Sequence, residues 1–315
     1  MRIATIDIGT NTVLLLVAEV RANGQLVAVE EHATITRLGE NVDRTRALAE
    51  GAISRTKTCL DAYAAIVKRL GATRAAVVGT SAMRDAKGSE VIREHVKSNF
   101  GVEARVISGD EEARLTFSGA LSGLGYSSSS GEIAVFDIGG GSTEVVRGTL
   151  ASDRRAPEIA YAHSFDVGSV RMTERHVRAD PPTLRERSAI TRDVLESLAS
   201  LSPLAVGQVP VAIAGTMTTL AAVSLNMLSY DGARVHGHRM STSELRRVVD
   251  ELSAVSLEKR QQVRGLEPKR ADVIVAGGIV ALAVLEKLQA DSVVISDRGV
   301  RWGLAVALQD MPATL

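Results

Sequence analysis

Two segments of the sequence place an aspartate, glycines and hydroxyl side chains in the same order. They read Ile3-Ala-Thr-Ile-Asp-Ile-Gly-Thr-Asn-Thr12 and Ile133-Ala-Val-Phe-Asp-Ile-Gly-Gly-Gly-Ser142. Glycine lets successive backbone N–H groups converge on an anion, and hydroxyls add donors. One copy alone would be explained as well by an ordinary hairpin turn, where glycine and asparagine are common. Because two matched copies occur, we predict two phosphate-binding loops, built on Thr10, Thr12, Gly139, Gly140, Gly141, Ser142 and Thr143.

The second segment and the strand that follows it carry a pair of carboxylates, Asp137 and Glu144. The short turn leaves two strand registers open, with Ile138 opposite either Val145 or Thr143. The register with Thr143 places Asp137 directly across from Glu144. Like charges opposed on neighbouring strands repel each other, so a retained pair indicates a bound cation or a shared proton.

Oxygen ligands beside a phosphate site predict Mg²⁺, with Mn²⁺ as the alternative metal. We expect Asp137 and Glu144 to hold the ion and Asp7 to be a further, water-mediated partner. In the first segment Leu14 takes the place of Glu144. The metal is therefore predicted at the second loop.

A strand-to-helix transition supplies a candidate general base. In Ser108-Gly-Asp-Glu-Glu-Ala-Arg114, Ser108 and Glu111 fit a capping box, which explains Glu111 structurally. The helix dipole tolerates an acid at Glu112 but does not require one. At the carboxyl end of a strand, Glu112 could reach a bound phosphate and activate a water molecule. We predict it as the catalytic base.

Two further strand ends could bind anions. Arg84, in Thr80-Ser-Ala-Met-Arg-Asp85, could clamp phosphate oxygens, and a surface ion pair with Asp85 is the alternative. Gly215 and Thr216 open a predicted helix whose first N–H groups suit an anion or a nucleotide.

The composition excludes several classes of function. The 37 basic residues balance 37 acidic ones and aromatic residues make up 3% of the chain, so a nucleic-acid partner is not expected. The longest apolar run, residues 273–285, is shorter than the roughly 20 residues that cross a bilayer, so no membrane partner is expected. The single cysteine, Cys59, is predicted to pack in the core. A cytoplasmic location is predicted.

Other polar groups have structural interpretations. His236 and His238 lack a third ligand at metal spacing, so a transition-metal site is not expected. Several basic residues are interpreted as solvated helix faces, with a track for a polyanion as the alternative. They are Arg264, Lys269, Arg270, Arg298 and Arg301.

The elements that must position these residues repeat along the chain. After the first segment we predict a strand over 25–35, a helix over 46–70, a strand over 75–79, a helix over 89–99, a strand over 102–107 and a helix from 111. After the second we predict a strand over 158–165, a helix over 184–201, a strand over 209–214, several helices over 216–288, a strand over 292–296 and a helix from 300. Both halves follow the order βββαβαβα.

This duplication predicts an α/β fold of two domains that face each other across a cleft, since ligands bind at the strand ends of such sheets. Domain I is expected over residues 1–124 and domain II over 125–299. That the helix at about 300–315 packs back on domain I is implied by analogy with the actin-like superfamily, not by the periodicity. The charged segment 151–157 is predicted to be a hairpin loop.

Together these motifs resemble the exopolyphosphatase / guanosine pentaphosphate phosphohydrolase family, Ppx/GppA, in its short two-domain form. The resemblance covers nearly the whole chain. It rests on Ile6-Asp-Ile-Gly-Thr-Asn-Thr12, Gly79-Thr-Ser-Ala-Met-Arg84, Ile107-Ser-Gly-Asp-Glu-Glu-Ala-Arg-Leu115, Phe136-Asp-Ile-Gly-Gly-Gly-Ser-Thr-Glu144, Gly168-Ser-Val-Arg-Met-Thr-Glu174, Ala214-Gly-Thr216, Val235-His-Gly-His238 and Arg270-Ala-Asp-Val-Ile274.

The resemblance implies an actin-like (ribonuclease H-like) fold and Mg²⁺-dependent release of the terminal phosphate of inorganic polyphosphate. Guanosine pentaphosphate is the alternative substrate, and a homodimer is the implied assembly. The resemblance assigns the catalytic glutamate to Glu112, the metal-associated acids to Asp137 and Glu144, the cleft arginine to Arg84 and the first-loop phosphate contacts to Thr10, Asn11 and Thr12.

Two other classes of function stay open at the level of sequence. An actin-like kinase would need an adenosine pocket around Gly215 and the pair Gly277 and Gly278. A sensor of nucleotide or polyphosphate would bind its ligand without releasing phosphate.

Overall fold

The computed structural model describes residues 1–40, 42–151 and 156–310. The chain forms two compact units. Unit one comprises Met1–Gly119 and the segment from Val300, and unit two comprises Ala120–Gly299. The predicted hairpin loop over 151–157 falls largely on residues 152–155, which lie outside the described residues, as does the predicted helical stretch 311–315.

Unit one is built around a five-stranded sheet. Its elements are β1 (Arg2–Ile8), β2 (Thr12–Val20), β3 (Leu26–Ile35), α1 (Val42–Thr45), α2 (Glu50–Arg69), β4 (Arg74–Gly79), α3 (Ser81–Asp85), α4 (Ser89–Phe100), β5 (Ala104–Val106) and α5 (Gly109–Leu121). The strand order is β3-β2-β1-β4-β5. The first three strands form an antiparallel meander, and β4 and β5 extend the sheet in parallel through helical crossovers.

Unit two repeats this plan with additional helices. Its elements are β6 (Ile133–Ile138), β7 (Thr143–Thr149), β8 (Glu158–Phe165), α6 (Ser169–His176), α7 (Leu184–Ser197), β9 (Val211–Ile213), α8 (Ala214–Ser224), α9 (Gly232–Val235), β10 (Arg239–Ser241), α10 (Thr242–Ser253), α11 (Leu257–Arg260), α12 (Ile274–Leu288) and β11 (Ser292–Ile295). The strand order is β10-β11-β9-β6-β7-β8.

Burial explains the most apolar stretches of the sequence. The central strand β1 is covered on both faces, so every residue after Arg2 is buried, including the polar Thr5 and Asp7. Helix α12 is apolar around nearly its whole circumference because it is buried in the core of unit two. In the part of the chain that the structure describes, no helix combines the length and apolar character needed to cross a membrane.

The last helix, α13 (Val300–Asp310), packs against β1 and β2 in unit one. The only tryptophan of the sequence, Trp302, is buried there in a cluster with Ile3 and Leu16. The Thr5 hydroxyl donates to the carbonyl of Arg301 at 2.8 Å. The helix is therefore joined to the sheet by both apolar and polar contacts.

The predicted α/β class and the duplicated strand order are confirmed, and Cys59 is buried as expected. Several element ends differ from the prediction by a few residues, and two differences have a clear cause. The helix expected from residue 46 begins at Glu50, because Arg46 adopts a φ of +54° and ends the short helix α1. The segment predicted to hold several helices, 216–288, also contains strand β10, whose three residues are too few to show a strand periodicity.

Candidate active site

The two predicted phosphate loops have the same backbone geometry. Loop one, residues 9–12, joins β1 to β2, and loop two, residues 139–142, joins β6 to β7. In each loop the first glycine N–H donates to the carbonyl of the fourth residue, at 3.1 Å in loop one and 3.0 Å in loop two.

The residue pairs that flank the loops also correspond. Asp7 lies opposite Leu14, and Asp137 lies opposite Glu144. Of the two registers that the sequence left open, the structure has the one that opposes the carboxylates. The predicted pair of acids on β6 and β7 is therefore confirmed as a pair.

Loop one is held by hydrogen bonds from the segment that follows β3. The carbonyls of Thr10 and Asn11 accept hydrogen bonds from backbone N–H groups within residues 36–39, at 2.8 to 3.0 Å. In a trans peptide the C=O and the following N–H point in opposite directions. The N–H groups of Asn11 and Thr12 therefore point away from this support. The Thr10 hydroxyl lies 2.7 Å from that of Ser81.

Loop two is supported by α6. Backbone N–H groups in the first turn of this helix donate to the carbonyls of Gly139 and Gly140 at 2.9 to 3.0 Å, and Nε of Arg171 donates to the Gly141 carbonyl at 2.6 Å. By the same peptide geometry, the N–H groups of Gly140, Gly141 and Ser142 point away from the donors that hold the carbonyls. A run of N–H groups held in this way suits an anion.

The close approach of α6 to loop two requires a glycine at its N-cap. A Cβ on Gly168 would lie 2.5 Å from the Gly140 oxygen and 2.6 Å from the Ser142 nitrogen. Both neighbours are backbone atoms that a side-chain rotation cannot move. Any larger residue at position 168 would therefore displace loop two.

The two opposed acids have different surroundings. Oε1 of Glu144 accepts hydrogen bonds from the hydroxyls of Ser142 at 2.5 Å and Ser164 at 2.7 Å. Burial lowers the pKa of the Arg270 guanidinium, and the negative charges of Glu267 and Asp137 oppose that effect. Asp137 is thus close enough to Arg270 to interact with it electrostatically.

The start of α8 carries Gly215 and Thr216. The Thr216 side chain is buried, and its hydroxyl donates to the Ile138 carbonyl at 2.9 Å, so it supports the end of β6. The Arg270 guanidinium occupies the space that a Cβ on Gly215 would need. Ala214 adopts a φ of +63°, which is strained for a residue with a side chain. Strain of this kind is concentrated at functional sites.

In unit one, the candidate base and the candidate clamp lie side by side. Nη1 of Arg84 donates to the Ile107 carbonyl at 2.8 Å and lies 3.4 Å from Oε2 of Glu112. The alternative partner of Arg84, Asp85, has a side chain outside the described ones. The N–H of Glu111 donates to the Ser108 hydroxyl at 3.2 Å, so the predicted cap is present.

Asp7 is the buried acid of unit one. It is 7% exposed, and its Oδ1 has no hydrogen-bond partner among the residues that the structure describes. Burial and then the negative charge of Glu112 raise the pKa of the Asp7 carboxyl from 3.8 to about 7, and Arg301 opposes the rise. A buried carboxylate oxygen without a partner is unfavourable unless a cation or a proton satisfies it.

The carboxylates of Asp137 and Glu144 fit a metal ion whose remaining ligands are water and phosphate oxygens of the substrate. Within residues 1–40, 42–151 and 156–310, no group of three or more His, Cys, Asp or Glu side chains is arranged to hold a metal ion. Mg²⁺ is often held by only one or two protein carboxylates, with water and phosphate oxygens completing its shell. Asp137 and Glu144 can supply those two. The assignment of Asp7 as a further partner stays a prediction.

His236, one of the two histidines considered above, has structural contacts. His236 Nε2 lies 3.1 Å from the Ser122 carbonyl, and its Nδ1 lies 3.2 Å from the Ser296 hydroxyl. Arg298 donates to the same carbonyl at 2.7 Å. These contacts join three segments of unit two.

Sequence reasoning did not assign roles to Ser81, Ser164 or Arg171, which all touch the predicted residues. Ser81 and Arg171 belong to motifs that carry the family resemblance. Their position in these motifs is the signal in the sequence that could have identified Ser81 and Arg171. Ser164 lies on β8 opposite Glu144, and only the strand register reveals it.

Comparison with known proteins gives a consistent result. A family model described as the Ppx/GppA phosphatase family matches residues 16–311. Exopolyphosphatase 2 of Mycobacterium tuberculosis is 38% identical over 322 residues, which cover 98% of this chain and 98% of that protein. Guanosine-5'-triphosphate,3'-diphosphate pyrophosphatase of Vibrio atlanticus is 27% identical over 310 residues, covering 98% of this chain and 59% of that protein.

The crystal structure of the Aquifex aeolicus member of the Ppx/GppA family superposes with a TM-score of 0.84 at 32% identity, covering 98% of this chain and 97% of that chain. The actin-like α/β fold expected from the sequence is therefore confirmed.

Proposed function

The chain belongs to the Ppx/GppA phosphatase family and shares its hydrolase class, and from this premise we propose that it is an exopolyphosphatase. It would release terminal orthophosphate from inorganic polyphosphate by in-line attack of water. The observation that carries the proposal is the pair of matched loops whose N–H groups point away from their supports, together with the Glu112 carboxylate held beside Arg84.

Each half of the machinery has a distinct task. The N–H groups of loop two bind the oxygens of the terminal phosphoryl group and stabilise the charge that develops there. Thr10, Asn11 and Thr12 add donors from loop one. Glu112 accepts the proton of the attacking water, and Arg84 neutralises charge beside it. That both loops act on one phosphoryl group stays a prediction from the sequence.

We propose a divalent cation, magnesium, held by Asp137 and Glu144. When bound, such an ion neutralises phosphate oxygens and orients them. The Ser142 and Ser164 hydroxyls fix the carboxylate of Glu144 by hydrogen bonds to Oε1. The homodimer implied by the resemblance is likewise a proposal, and light scattering on the purified protein checks it.

Guanosine pentaphosphate is the second candidate substrate, because it presents the same terminal phosphoanhydride. The Vibrio atlanticus relative, named for that type of nucleotide, supports it. Polyphosphate is favoured because the relative named an exopolyphosphatase is more similar, at 38% against 27% identity, and aligns over its whole length.

The kinase alternative is disfavoured by the packing around the glycines named for its adenosine pocket. A Cβ on Gly277 would lie 2.7 Å from Cγ2 of Thr216, and one on Gly278 would overlap Val249. These glycines are buried helix-packing positions, and the space next to Gly215 is filled by Arg270. The local packing around the residues named for an adenosine pocket therefore does not favour one.

The deciding experiment measures phosphate release from polyphosphates of defined length and from guanosine pentaphosphate in parallel, with Mg²⁺ and with a chelator. We expect the highest kcat/KM on polyphosphate and no release without metal. Higher kcat/KM on the nucleotide would favour the second candidate. Binding of polyphosphate without release of phosphate under any metal would favour a sensor and contradict the proposal.

A further inference from the structure

Arg171 lies at loop two but has no part in the proposed function so far. Its Nε donates to the Gly141 carbonyl at 2.6 Å, and its Nη2 lies 3.3 Å from Oδ1 of Asp166. The Arg171 side chain is 39% exposed and that of Asp166 is 88% exposed. An exposed ion pair of this length contributes little to folding stability. The contact of Arg171 that matters at loop two is therefore the one with the Gly141 carbonyl.

The three glycine carbonyls of loop two are held by different kinds of donor. Those of Gly139 and Gly140 are held by backbone N–H groups, which the helix geometry of α6 keeps in place. The Gly141 carbonyl is held by a side chain. Glycine adopts positive and negative φ with similar ease, so a peptide next to Gly141 can rotate when nothing holds it. The Ser142 nitrogen of the Gly141–Ser142 peptide also packs close to Gly168, but the hydrogen bond from Arg171 is the contact that acts on the Gly141 carbonyl itself.

The orientation of that peptide determines where the Ser142 N–H points. With the carbonyl directed at Arg171, the N–H is directed the opposite way. If the peptide rotated, loop two would present a carbonyl oxygen in place of an N–H donor. An oxygen repels a phosphate that the N–H would bind.

We propose that Arg171 is a positioning residue that fixes the Gly141–Ser142 peptide with its N–H toward the bound phosphoryl group, and that Asp166 supports the same guanidinium through Nη2. The identity of the anion rests on the proposed function. The orientation of the peptide does not.

A matched pair of substitutions separates positioning from a direct charge contact. In Arg171→Gln the side-chain nitrogen follows Cδ, as Nε does in arginine, so the donor is kept and the charge is lost. Arg171→Met has a similar length and loses both. For each variant, kcat and KM for polyphosphate and the inhibition constant of inorganic phosphate are measured, with circular dichroism and melting temperature as checks of folding.

We expect Arg171→Met to lower kcat/KM by about tenfold or more and to weaken inhibition by phosphate, because an oriented N–H donor is lost. Arg171→Gln should retain at least several times more kcat/KM than Arg171→Met. Equal losses in the two variants would show that the charge itself contacts the substrate and would overturn the proposal. Full activity of Arg171→Met would also overturn it.

Asp166→Asn tests the support from Asp166. Removing the carboxylate should hold the guanidinium less firmly on the Gly141 carbonyl, so KM should rise, by less than in Arg171→Met because the ion pair is exposed. A fall in KM would contradict this role of Asp166.

A readout without catalysis keeps this test independent of the proposed function. Crystal structures of the full chain and of Arg171→Met show the Gly141–Ser142 peptide directly. A rotated or disordered peptide in the variant supports the proposal, even if no substrate is hydrolysed. A peptide that is unchanged in the variant overturns it, even if the enzyme is an active exopolyphosphatase.

Discussion

The guanidinium of Arg84 lies 3.4 Å from the carboxylate of Glu112, and the same nitrogen donates to the carbonyl of Ile107 at 2.8 Å. The contact joins the end of α3 to the first turn of α5. Both side chains are about one third exposed, at 34% and 32%, so the ion pair adds little to stability. The Arg84–Glu112 ion pair matters because it fixes the position of the Glu112 carboxylate, the candidate general base.

Glu112→Gln should lower kcat by about 100- to 10,000-fold, because a general base is removed. The melting temperature should change little, since the lost ion pair is weak. Phosphate release and thermal unfolding measure the two effects. Glu111→Gln is the matched control: its carboxylate pairs with Arg105 at 2.9 Å, and we expect near-normal activity. Similar losses in both variants would contradict the assignment.

Arg84→Lys should lower kcat/KM by about 10- to 100-fold, because an ammonium keeps the charge but cannot reproduce the planar array of donors. Steady-state kinetics on polyphosphate check this. Arg105→Lys, on the neighbouring ion pair, serves as the control. If lysine at position 84 supports full activity, charge alone is sufficient and the clamp is wrongly described.

Gly168→Ala should displace loop two, since the added Cβ would lie 2.5 and 2.6 Å from backbone atoms. We expect a large loss of kcat/KM and destabilisation of about 1–3 kcal/mol from overpacking. Gly51→Ala in α2 is the control, because a Cβ there meets nothing closer than the Arg55 side chain at 3.4 Å. It should be neutral or stabilising by up to about 1 kcal/mol. Undiminished phosphate release by Gly168→Ala would refute the close-approach argument.

Asp7→Asn should change how stability depends on pH. The carboxyl has a folded pKa of about 7, above its ordinary 3.8, so ionisation opposes folding. The wild type therefore has no penalty below pH 3.8, loses stability as the pH rises towards 7, and is constant above that. Asparagine carries no charge, so the variant should gain about 2 to 4 kcal/mol on the wild type across this window.

Urea unfolding at several pH values in chelator checks the expectation for Asp7. The difference between the two proteins should be larger at pH 8 than at pH 4.5. An equal difference at both values would show that the Asp7 carboxyl titrates normally.

Glu31→Gln should loosen α13. Oε2 of Glu31 accepts from Nε and Nη2 of Arg301 at 3.0 and 2.7 Å and from Nε1 of Trp302 at 3.1 Å. Loss of these charge-assisted bonds should cost about 1.5–3 kcal/mol. The fluorescence of Trp302 follows unfolding directly. Glu103→Gln, in an exposed pair with Lys97, should cost under about 1 kcal/mol. Equal costs would contradict the special role of Glu31.

The sequence predicted those parts of the candidate site that neighbouring residues in the chain form. The Asp-Ile-Gly repeats predicted the two matched loops, and the turn length limited the partner of Asp137 to two registers. Ser108 and Glu111 predicted a cap that the structure contains. In these cases neighbouring residues determine the geometry, so a pattern along the chain is enough.

The sequence was uninformative where distant residues meet. Arg171 contacts Gly141 across 30 residues, and Arg270 reaches Gly215 from a segment whose path no periodicity reveals. Thr216 was grouped with the phosphate-binding residues, yet its hydroxyl donates to Ile138. The strained residue Ala214 is the first residue of α8, which carries Thr216, and local propensity does not anticipate its positive φ.

The return of α13 to unit one has a consequence for biosynthesis. Unit two is one uninterrupted stretch, residues 120–299, so it can fold without the segment that follows it. The first sheet, in contrast, lacks Trp302, Ala305 and Leu308, which cover it, until residues 300–310 have been made. A released chain truncated after residue 299 should therefore be cut by protease within its first 119 residues and spared within residues 120–299. Unit one is thus begun before unit two and completed after it.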